Sequence, residues 1–312
     1  MSAPPITKLK NKIAEKEAER IVKTLNLLPA RAVCLRNQGM FSKTVRVELK
    51  DGRIVIVQFK DNEIDVTKVA LARGCLGNVV PETFAVKSTV AAFAYVSEYI
   101  DGKMWCECNC TVEENCRIAS SLAQLLLGCV FGTSPLSCAG LVDNYIVPRL
   151  RRILEIELKD VTYEPVKKKI RSLLEQCNGL KVLPLALIHI DLNARNIFLD
   201  SFHEPNGIVD WEQAEICPLG FNVWCIRYLS VPIYNRKDCP AEKSAPMAAA
   251  FWKSLIAGLP AHLRSHAPAI LVSAQIGFIF SNFVGYVGPP DDELPLTLER
   301  MEWLESTFNE AL

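Results

Sequence analysis

A polar cluster stands out in the stretch HIDLNARNIFLD, residues 189–200, because apolar runs lead into and out of it. The stretch holds a His, two Asp, two Asn and an Arg. Buried polar side chains cost several kcal/mol unless each one finds a hydrogen-bond partner. The apolar neighbours predict that the stretch is buried, so either the core satisfies these groups or a ligand such as a metal ion does.

The spacing of four residues indicates which chemistry is available. Asp191 follows His189 by two positions, Asn196 follows Asp191 by five, and Asp210 follows Asn196 by fourteen. The apolar runs IFLD and GIVD, joined by the polar turn SFHEPN, predict a hairpin that brings Asn196 and Asp210 together at its open end. An amide and a carboxylate oxygen would then face one point, where a hard cation such as Mg²⁺ and phosphate oxygens could bind. Asp191, on the preceding loop, could reach the same region as a base.

The elements that must position these residues follow from periodicity and turn signals. Asp51-Gly52, between VRVEL and RIVIVQF, is a strong hairpin signal. The predicted order is a helix at 6–28, strand–turn–strand–turn–strand at 32–60, a helix at 62–76, strands within 88–103, and helices from 112 onward that a β-rich island at 186–211 interrupts. A small β-rich part thus precedes a larger helical part, and two such lobes would leave a ligand cleft between them.

A glycine turn between strands, a short join, H-x-D-x4-N and a later Asp are together the parts of a phosphoryl-transfer site. HIDLNARN and IVDWEQA closely resemble the catalytic loop and metal-binding Asp of the protein-kinase-like fold. In detail they are similar to the aminoglycoside phosphotransferase and choline kinase branch, whose members phosphorylate small molecules and carry H-G-D-x4-N and I-D-W. The resemblance extends from about residue 32 to 230 and is dense only in the island. It implies an α+β, two-lobed fold with an N-terminal lobe at 1–97 and a C-terminal lobe at 98–312.

The same resemblance implies roles for the residues of the island. Asp191 would be the catalytic base, and His189 would support the loop that carries it. Asn196 and Asp210 would hold Mg²⁺ across the phosphates of ATP.

Nucleotide contacts are implied in the N-terminal lobe. SEYIDG is similar to the family hinge M-E-Y-x-x-G, whose backbone contacts the adenine edge, and this similarity implies that role for Glu98, Tyr99 and Ile100. NQGMFSKTVRVEL is similar to the short phosphate loop, with Gly39 in the turn and Ser42 as a donor to a phosphate oxygen.

The phosphate-binding cation of the third strand departs from the family pattern. In frame with V-A-I-K, RIVIVQFK places the neutral Gln58 where Lys or Arg is expected. Lys60 lies two residues on, hence on the same face of the strand, and could replace the missing cation. Its carboxylate partner would be Asp65 or Glu63.

Two functions therefore stay open. The first is an ATP- and Mg²⁺-dependent kinase that moves the γ-phosphoryl group to a hydroxyl of an amino sugar, an amino alcohol or a specialised metabolite, as a fungal-type relative would. The second is a pseudokinase-like binding or scaffold module, which Gln58 favours and the intact Asp191, Asn196 and Asp210 disfavour. A protein kinase is disfavoured because nothing after Asp210 resembles A-P-E or a long activation segment.

Composition argues against several other classes. The formal net charge is zero, which removes the simplest argument for binding nucleic acids or anionic membranes. The apolar segment 268–288 is interrupted by polar residues and is predicted to be a buried helix rather than a membrane span. The N-terminal stretch lacks the apolar core of a secretory signal, so we expect a cytoplasmic protein.

Cysteines are frequent, but only four of the twelve form a cluster, namely Cys106, Cys108, Cys110 and Cys116. Zinc sites usually show C-x2-C spacing and a second pair at a distance. Here the spacing is C-x-C and no matching Cys/His pair follows. This pattern favours a loop of free thiols over a metal site.

Overall fold

A computed structural model describes residues 6–36, 38, 42–131, 135–156, 163–234, 237–283 and 294–312. The chain mixes helices and strands, which confirms the predicted α+β class. It divides into two compact units: unit 1 is Met1–Gly102 with Asn206–Gln213, and unit 2 is Lys103–Pro205 with Ala214–Leu312. Asp210 therefore belongs to unit 1, whereas Asp191 and Asn196 belong to unit 2.

Unit 1 is built on an antiparallel sheet. Its described elements are α1 (Asn11–Thr24), β1 (Pro29–Cys34), β2 (Ser42–Leu49), β3 (Ile54–Lys60), α2 (Val66–Leu76), β4 (Thr83–Val86) and β5 (Phe93–Glu98), with short 3-10 turns at Ile6–Lys8, Gly77–Val79 and Trp211–Gln213. The strand order is β1-β2-β3-β5-β4, and every neighbouring pair is antiparallel. The predicted hairpin at Asp51-Gly52 is confirmed, because Gly52 has φ +87° and donates its N–H to the Leu49 carbonyl at 3.1 Å.

Alternation along the strands places one face of the sheet against α1. Val57 and Phe59 of β3 are fully buried in a core that also contains Ala14, Ala18 and Ile21 of α1. These helix positions are spaced by four and three residues, so they share one side of the helix. Since successive strand residues point to opposite faces, Gln58 and Lys60 face away from this core.

One carboxylate connects α1 to the loop before β5. Glu17 is buried and accepts hydrogen bonds from Arg20 (Nε, 2.7 Å), the Thr89 N–H (2.6 Å) and the Ser88 hydroxyl (3.1 Å). The Arg20 hydrogen bond, followed by the bonds from Thr89 and Ser88, lowers the pKa of Glu17 from 4.5 to about 2 against the opposing effect of burial. The ionised form is therefore the one that the fold stabilises.

Glu17→Gln is expected to lower the free energy of unfolding by about 2 kcal/mol at pH 7, because hydrogen bonds to a charged group are lost. A depressed folded-state pKa stabilises the protein above the unfolded value of 4.5, and this contribution disappears as the pH falls towards 2. In urea titrations, the free energies of unfolding of the wild type and Glu17→Gln should become more similar as the pH falls from 7 to 3. Glu19→Gln on the same helix is the control, and a Glu17→Gln deficit that is independent of pH would contradict the assignment.

Unit 2 is mainly helical, with short strand pairs. Its described elements are β6 (Lys103–Met104), α3 (Val112–Gly128), α4 (Pro135–Leu141), α5 (Val147–Leu154), α6 (Glu164–Gln176), β7 (Leu185–Ile188), β8 (Ile197–Leu199), β9 (Pro205–Ile208, where the chain passes into unit 1), β10 (Glu215–Pro218), α7 (Cys225–Ser230), β11 (Ile233–Tyr234), β12 (Lys237–Asp238), α8 (Ser244–Gly258), α9 (Ala261–Arg264), α10 (Ala267–Asn282) and α11 (Leu294–Asn309). β7 pairs with β10 and β6 pairs with β8, and both pairs are antiparallel. These strands lie between helices in the order of elements, as predicted for the β-rich island.

Helix α10 confirms a buried helix for the described part of the predicted segment 268–288, since residues from Ile270 to Phe280 are buried, whereas residues 284–288 lie outside the described residues. Gly277 of this helix permits the close approach of another segment: a Cβ there would lie 1.7 Å from the Phe221 carbonyl oxygen. In the described part of the chain, no helix combines the length and apolar character that crossing a membrane requires.

A buried ionic cluster ties β12 to two helices of unit 2. Asp238 accepts from Arg227 of α7 at 2.5 Å and from Arg300 of α11 at 2.9 and 3.0 Å. Both arginines are less than a tenth exposed, and Arg227 also stacks on Trp303 with 5.1 Å between the guanidinium carbon and the ring centroid. Burial lowers the pKa of Arg227. One carboxylate thus compensates two buried cations.

Asp238→Asn is expected to destabilise the protein by roughly 3–5 kcal/mol, because it removes the carboxylate that pairs with two buried guanidinium groups. Denaturant titration measures this loss directly. The control is Glu155→Gln, which removes an exposed ion pair with Arg152 and should cost less than about 1 kcal/mol. Replacing Arg227 with Met in the Asp238→Asn background should recover part of the loss, and equal costs for Asp238→Asn and the control would contradict the role of the cluster.

Candidate functional site

The polar stretch of unit 2 begins where β7 ends, and its residues differ in burial. His189 and Asn196 are buried, at 1% and 6% exposure, as the flanking apolar runs predict. Asp191 is exposed, so the expectation that it is buried is wrong. The apolar neighbours anchor the two ends of the loop, and the carboxylate at its bend projects into solvent.

Hydrogen bonds within the loop fix the position of Asp191. Asn196 donates Nδ2–H to the Asp191 backbone carbonyl at 2.8 Å, which closes the D-x4-N segment into a ring. Asn193 donates to the same carbonyl at 3.1 Å and to the carboxylate oxygen Oδ1 of Asp191 at 2.9 Å. Asn193 is not among the residues predicted from the sequence, although Asn and Asp side chains in turns commonly form such local hydrogen bonds. The loop therefore holds both the backbone and the carboxylate of Asp191.

Asp210 lies in unit 1 with an unusual backbone conformation. Its φ is +65°, in the left-handed region that non-glycine residues seldom adopt. The next residue, Trp211, is buried and donates Nε1–H to the Ile208 carbonyl at 3.1 Å. A buried indole thus anchors the segment, in which Asp210 is exposed.

The cation at the end of β3 has a partner that the sequence did not indicate. Lys60 is buried and forms an ion pair with Glu212, two residues after Asp210. The predicted partner was Asp65 or Glu63, and that prediction is wrong. Asp65 instead caps α2 by accepting from the Thr67 N–H at 3.0 Å, and its hydrogen bonds with Thr67 lower its pKa.

The other predicted phosphate contacts lie near Lys60. Ser42, the first residue of β2, is the register partner of Lys60, and the partly buried Gln58 lies between Thr44 and Tyr95 on the neighbouring strands. Gly39 falls outside the described residues. Lys60 and Ser42 are thus neighbours at one end of the sheet, whereas Gln58 lies two residue pairs further along.

The first hinge residue, Glu98, is fixed within unit 1. Its N–H donates to the Glu82 carbonyl at 3.0 Å, and its carboxylate accepts from Arg73 at 2.7 Å and from the Glu82 N–H at 2.9 Å. These bonds occupy its amide and its side chain. Glu98 therefore anchors the hinge, and its predicted adenine contact stays a prediction.

The next hinge residues are shaped by the segment that leads to Asp210. Gly207 packs against the Ile100 side chain, and a Cβ at Gly207 would lie 2.5 Å from it. Asn206 donates to the Asp101 carbonyl at 2.7 Å. Tyr99 is exposed, and the Arg46 guanidinium lies 5.5 Å from its ring centroid. The segment 206–213 thus contributes both to the hinge and to the Lys60 ion pair.

The donor chemistry of these residues fits a magnesium nucleotide. Because the Nδ2 group of Asn196 is used by the Asp191 carbonyl, its amide oxygen is the atom left to act as a ligand. Asp210 adds an exposed carboxylate, and hard cations prefer such oxygen ligands. Lys60 adds a cation and Ser42 a hydroxyl, both of which suit phosphate oxygens. The residue types therefore fit Mg²⁺ and a phosphate chain.

Solved structures share this fold. A choline kinase of Cryptosporidium parvum matches with a TM-score of 0.58 at 13% identity, over 94% of this chain and 96% of that chain. The GDP complex of aminoglycoside 2'-phosphotransferase-IIIa matches with a TM-score of 0.57 at 13% identity, over 94% and 98%. The chain has the two-lobed, protein-kinase-like fold of these enzymes.

An ethanolamine kinase of Plasmodium vivax matches with a TM-score of 0.53 at 11% identity, over 90% of this chain and 84% of that chain. No protein-family model matches the sequence, and no curated protein sequence matches it. The predicted fold class and the resemblance to this branch are confirmed, whereas the fungal type stays a prediction.

Glu212→Gln is expected to lower the free energy of unfolding by about 2 kcal/mol, because it leaves the buried Lys60 ammonium without its counter-charge. A double-mutant cycle with Lys60→Met, followed by urea denaturation, isolates the energy of the pair. Asp51→Asn is the control, since its ion pair with Arg53 is more than half exposed and should contribute less than about 1 kcal/mol. Additive effects of Lys60→Met and Glu212→Gln would contradict the pairing.

Proposed function

We propose that the protein is an ATP- and Mg²⁺-dependent phosphotransferase that moves the γ-phosphoryl group to a hydroxyl of a small molecule. The observation that carries this proposal is the closed D-x4-N loop, in which Asn196 bonds the Asp191 carbonyl at 2.8 Å while the Asp191 carboxylate remains exposed. The loop closes through the backbone of Asp191, and Asn193 orients the carboxylate, which stays exposed to solvent.

Asp191 is proposed as the general base. A carboxylate held in one orientation can accept the proton of an acceptor hydroxyl as its oxygen attacks phosphorus. Asn193 provides the orientation through its 2.9 Å bond to Oδ1. His189, buried at the end of β7, supports the backbone from which the loop departs.

Asn196 and Asp210 are proposed as the magnesium ligands. A bound Mg²⁺ would neutralise charge on the transferring phosphoryl group and its leaving group. The two residues belong to different units, so the proposal requires that both reach the same ion. The closed loop fixes the Asn196 amide, and the left-handed backbone fixes the direction of the Asp210 side chain.

Lys60 is proposed as the phosphate-binding cation in place of Gln58. It is the charged residue on the same face of β3, and Ser42 lies opposite it in the register. A phosphate oxygen would share or replace the Glu212 carboxylate, so nucleotide binding should weaken the Lys60–Glu212 pair. The backbone of Tyr99 and Ile100 is proposed to contact the adenine edge, since Glu98 is engaged in the sheet.

A second function is favoured by one specific observation. Lys60 is already neutralised by Glu212, and Gln58 offers no charge, so a weakly catalytic, pseudokinase-like binding module is the alternative. The two functions differ in turnover rather than in binding. The acceptor is proposed to be an amino alcohol, an amino sugar or a related metabolite, by analogy with the choline, ethanolamine and aminoglycoside kinases of the same fold.

The proposed function is tested by separating nucleotide binding from turnover. Mg-ATP at about 100 times its Kd should stabilise the wild type by roughly 2.7 kcal/mol, measured as a rise in Tm. Asp210→Ala should lose the magnesium-dependent part of this rise. Asp191→Asn should keep the rise in Tm but lower kcat by a factor of about 10²–10⁴. Turnover is measured with labelled ATP and a panel of acceptors, namely choline, ethanolamine, aminoglycosides and a peptide.

The exposed Glu242→Gln is the control variant and should match the wild type in both measurements. Nucleotide binding without transfer to any acceptor would favour the binding module. A wild type whose Tm does not respond to Mg-ATP would contradict the kinase and favour a scaffold module.

A further inference from the structure

Two side chains at the start of helix α3 and one from the turn after β8 meet in unit 2, and none of them belongs to the proposed catalytic residues. The Sγ of Cys110, a carboxylate oxygen of Glu114 and a ring nitrogen of His203 all lie within 4.8 Å of one another. Each side chain is partly buried, so the group is formed by the fold yet reachable from solvent. The cysteine cluster has no His partner at metal-ligand spacing in the sequence, and the structure supplies one in His203.

Cys110 is held by the start of helix α3. The buried Asn115 donates Nδ2–H to the Cys110 carbonyl at 3.0 Å and to the Thr111 carbonyl at 2.7 Å. Trp105, also buried, donates Nε1–H to the Asn115 Oδ1 at 3.1 Å. These bonds fold the cysteine-rich loop back onto the helix and fix the backbone that carries the Cys110 thiol.

Glu114 has one carboxylate oxygen committed to the helix and one directed outward. Its Oε2 accepts from the Thr111 N–H at 2.7 Å, and its own N–H donates to the Thr111 hydroxyl at 3.2 Å, which is a capping box. Its Oε1 lies 2.8 Å from Nδ1 of His203. The cap therefore sets the rotamer of Glu114 and leaves Oε1 on the side of the imidazole and the thiol.

His203 is positioned by a turn that is itself fixed to α3. Its φ is +59°, a left-handed conformation that a histidine seldom adopts. The next residue, Glu204, accepts from Arg117 at 2.6 Å and from Ser121 at 3.1 Å, both on α3. Since Glu114, Arg117 and Ser121 share one side of the helix, the turn is attached along that side and brings the imidazole to the Cys110 loop.

We propose that Cys110, Glu114 and His203 form a binding site for a zinc-class divalent metal ion, with solvent as the fourth ligand. Thiolate, imidazole and carboxylate are the donor types of protein zinc sites, and bonds of about 2.0–2.3 Å in a tetrahedron place ligand atoms roughly 3.3–3.8 Å apart. Side-chain adjustments of about 1 Å reach that spacing from the observed separations. A hydrogen bond between His203 and Glu114 alone would not require a thiol beside it.

The metal would join the cysteine-rich loop, helix α3 and the turn after β8. None of its ligands has a part in the proposed phosphoryl transfer, so a negative result for that function would not contradict the metal site. Soft and borderline donors distinguish it from the all-oxygen set of Asn196 and Asp210, which suits a hard cation.

Cobalt(II) added to the reduced, metal-free full-length protein tests the site. Wild type is expected to bind one equivalent with a thiolate-to-cobalt charge-transfer band and intense tetrahedral visible bands, both abolished by equimolar zinc. Cys110→Ser, which keeps the His203–Glu114 bond, should lose the thiolate band. His203→Asn should weaken cobalt binding at least tenfold, and zinc should raise the Tm of wild type but not of Cys110→Ser.

Cys239→Ser is the matched control, because Cys239 is an exposed thiol outside the cluster, and it should behave as the wild type. The absence of a thiolate band in wild type would overturn the proposal. So would an unchanged band in Cys110→Ser, which would assign the thiolate to another cysteine. Cobalt bound at the oxygen ligands of the proposed magnesium site would give no such band, so the two sites remain distinguishable.

Discussion

The ion pair between Lys60 and Glu212 is the interaction on which the arrangement of unit 1 depends. An ammonium group buried at the end of β3 needs a carboxylate, because an unpaired buried charge costs several kcal/mol. Glu212, 152 residues away in the sequence, supplies it. This requirement brings residues 206–213 into unit 1, where Asn206 and Gly207 also shape the hinge. The position of Asp210, two residues before Glu212, is therefore coupled to the charge on β3.

This coupling changes how the missing lysine at Gln58 should be understood. A lysine in that frame would lie two residue pairs further along the sheet, between Thr44 and Tyr95. Lys60 lies instead at the strand end, opposite Ser42, and its counter-ion comes from the segment that carries the metal-ligand candidate. Displacing the cation by two residues keeps it on the same strand face. The carboxylate that pairs with Lys60 is therefore two residues from Asp210 in the sequence, whereas Asp65 caps α2.

Local signals explain why much of the fold could be predicted from the sequence. The Asp51-Gly52 turn, the alternation in β2 and β3, and the apolar run of α10 each act within a few residues, and all three predictions are confirmed. The partner of Lys60 could not be predicted, because proximity in the sequence favoured Asp65. In the structure, the Asp65 side chain caps α2 instead. The exposure of Asp191 was missed because burial of the flanking strands does not extend to the bend between them. His203 was not predicted as a neighbour of Cys110, because metal-ligand motifs are defined by short spacings in the sequence and these two residues are far apart in it.

Backbone strain marks both candidate ligand sets. In the described part of the chain, the non-glycine residues with positive φ are Asn26, His203 and Asp210. Asparagine, aspartate and histidine adopt this conformation more often than other non-glycine residues, but it still costs free energy that the surrounding structure must offset. At Asp210 the buried Trp211 does so, and at His203 the attachment of Glu204 to α3 does so. In each case a fixed neighbouring residue stabilises the left-handed backbone. Core packing alone does not require a strained backbone at an exposed or partly buried residue, whereas a metal ligand can require one.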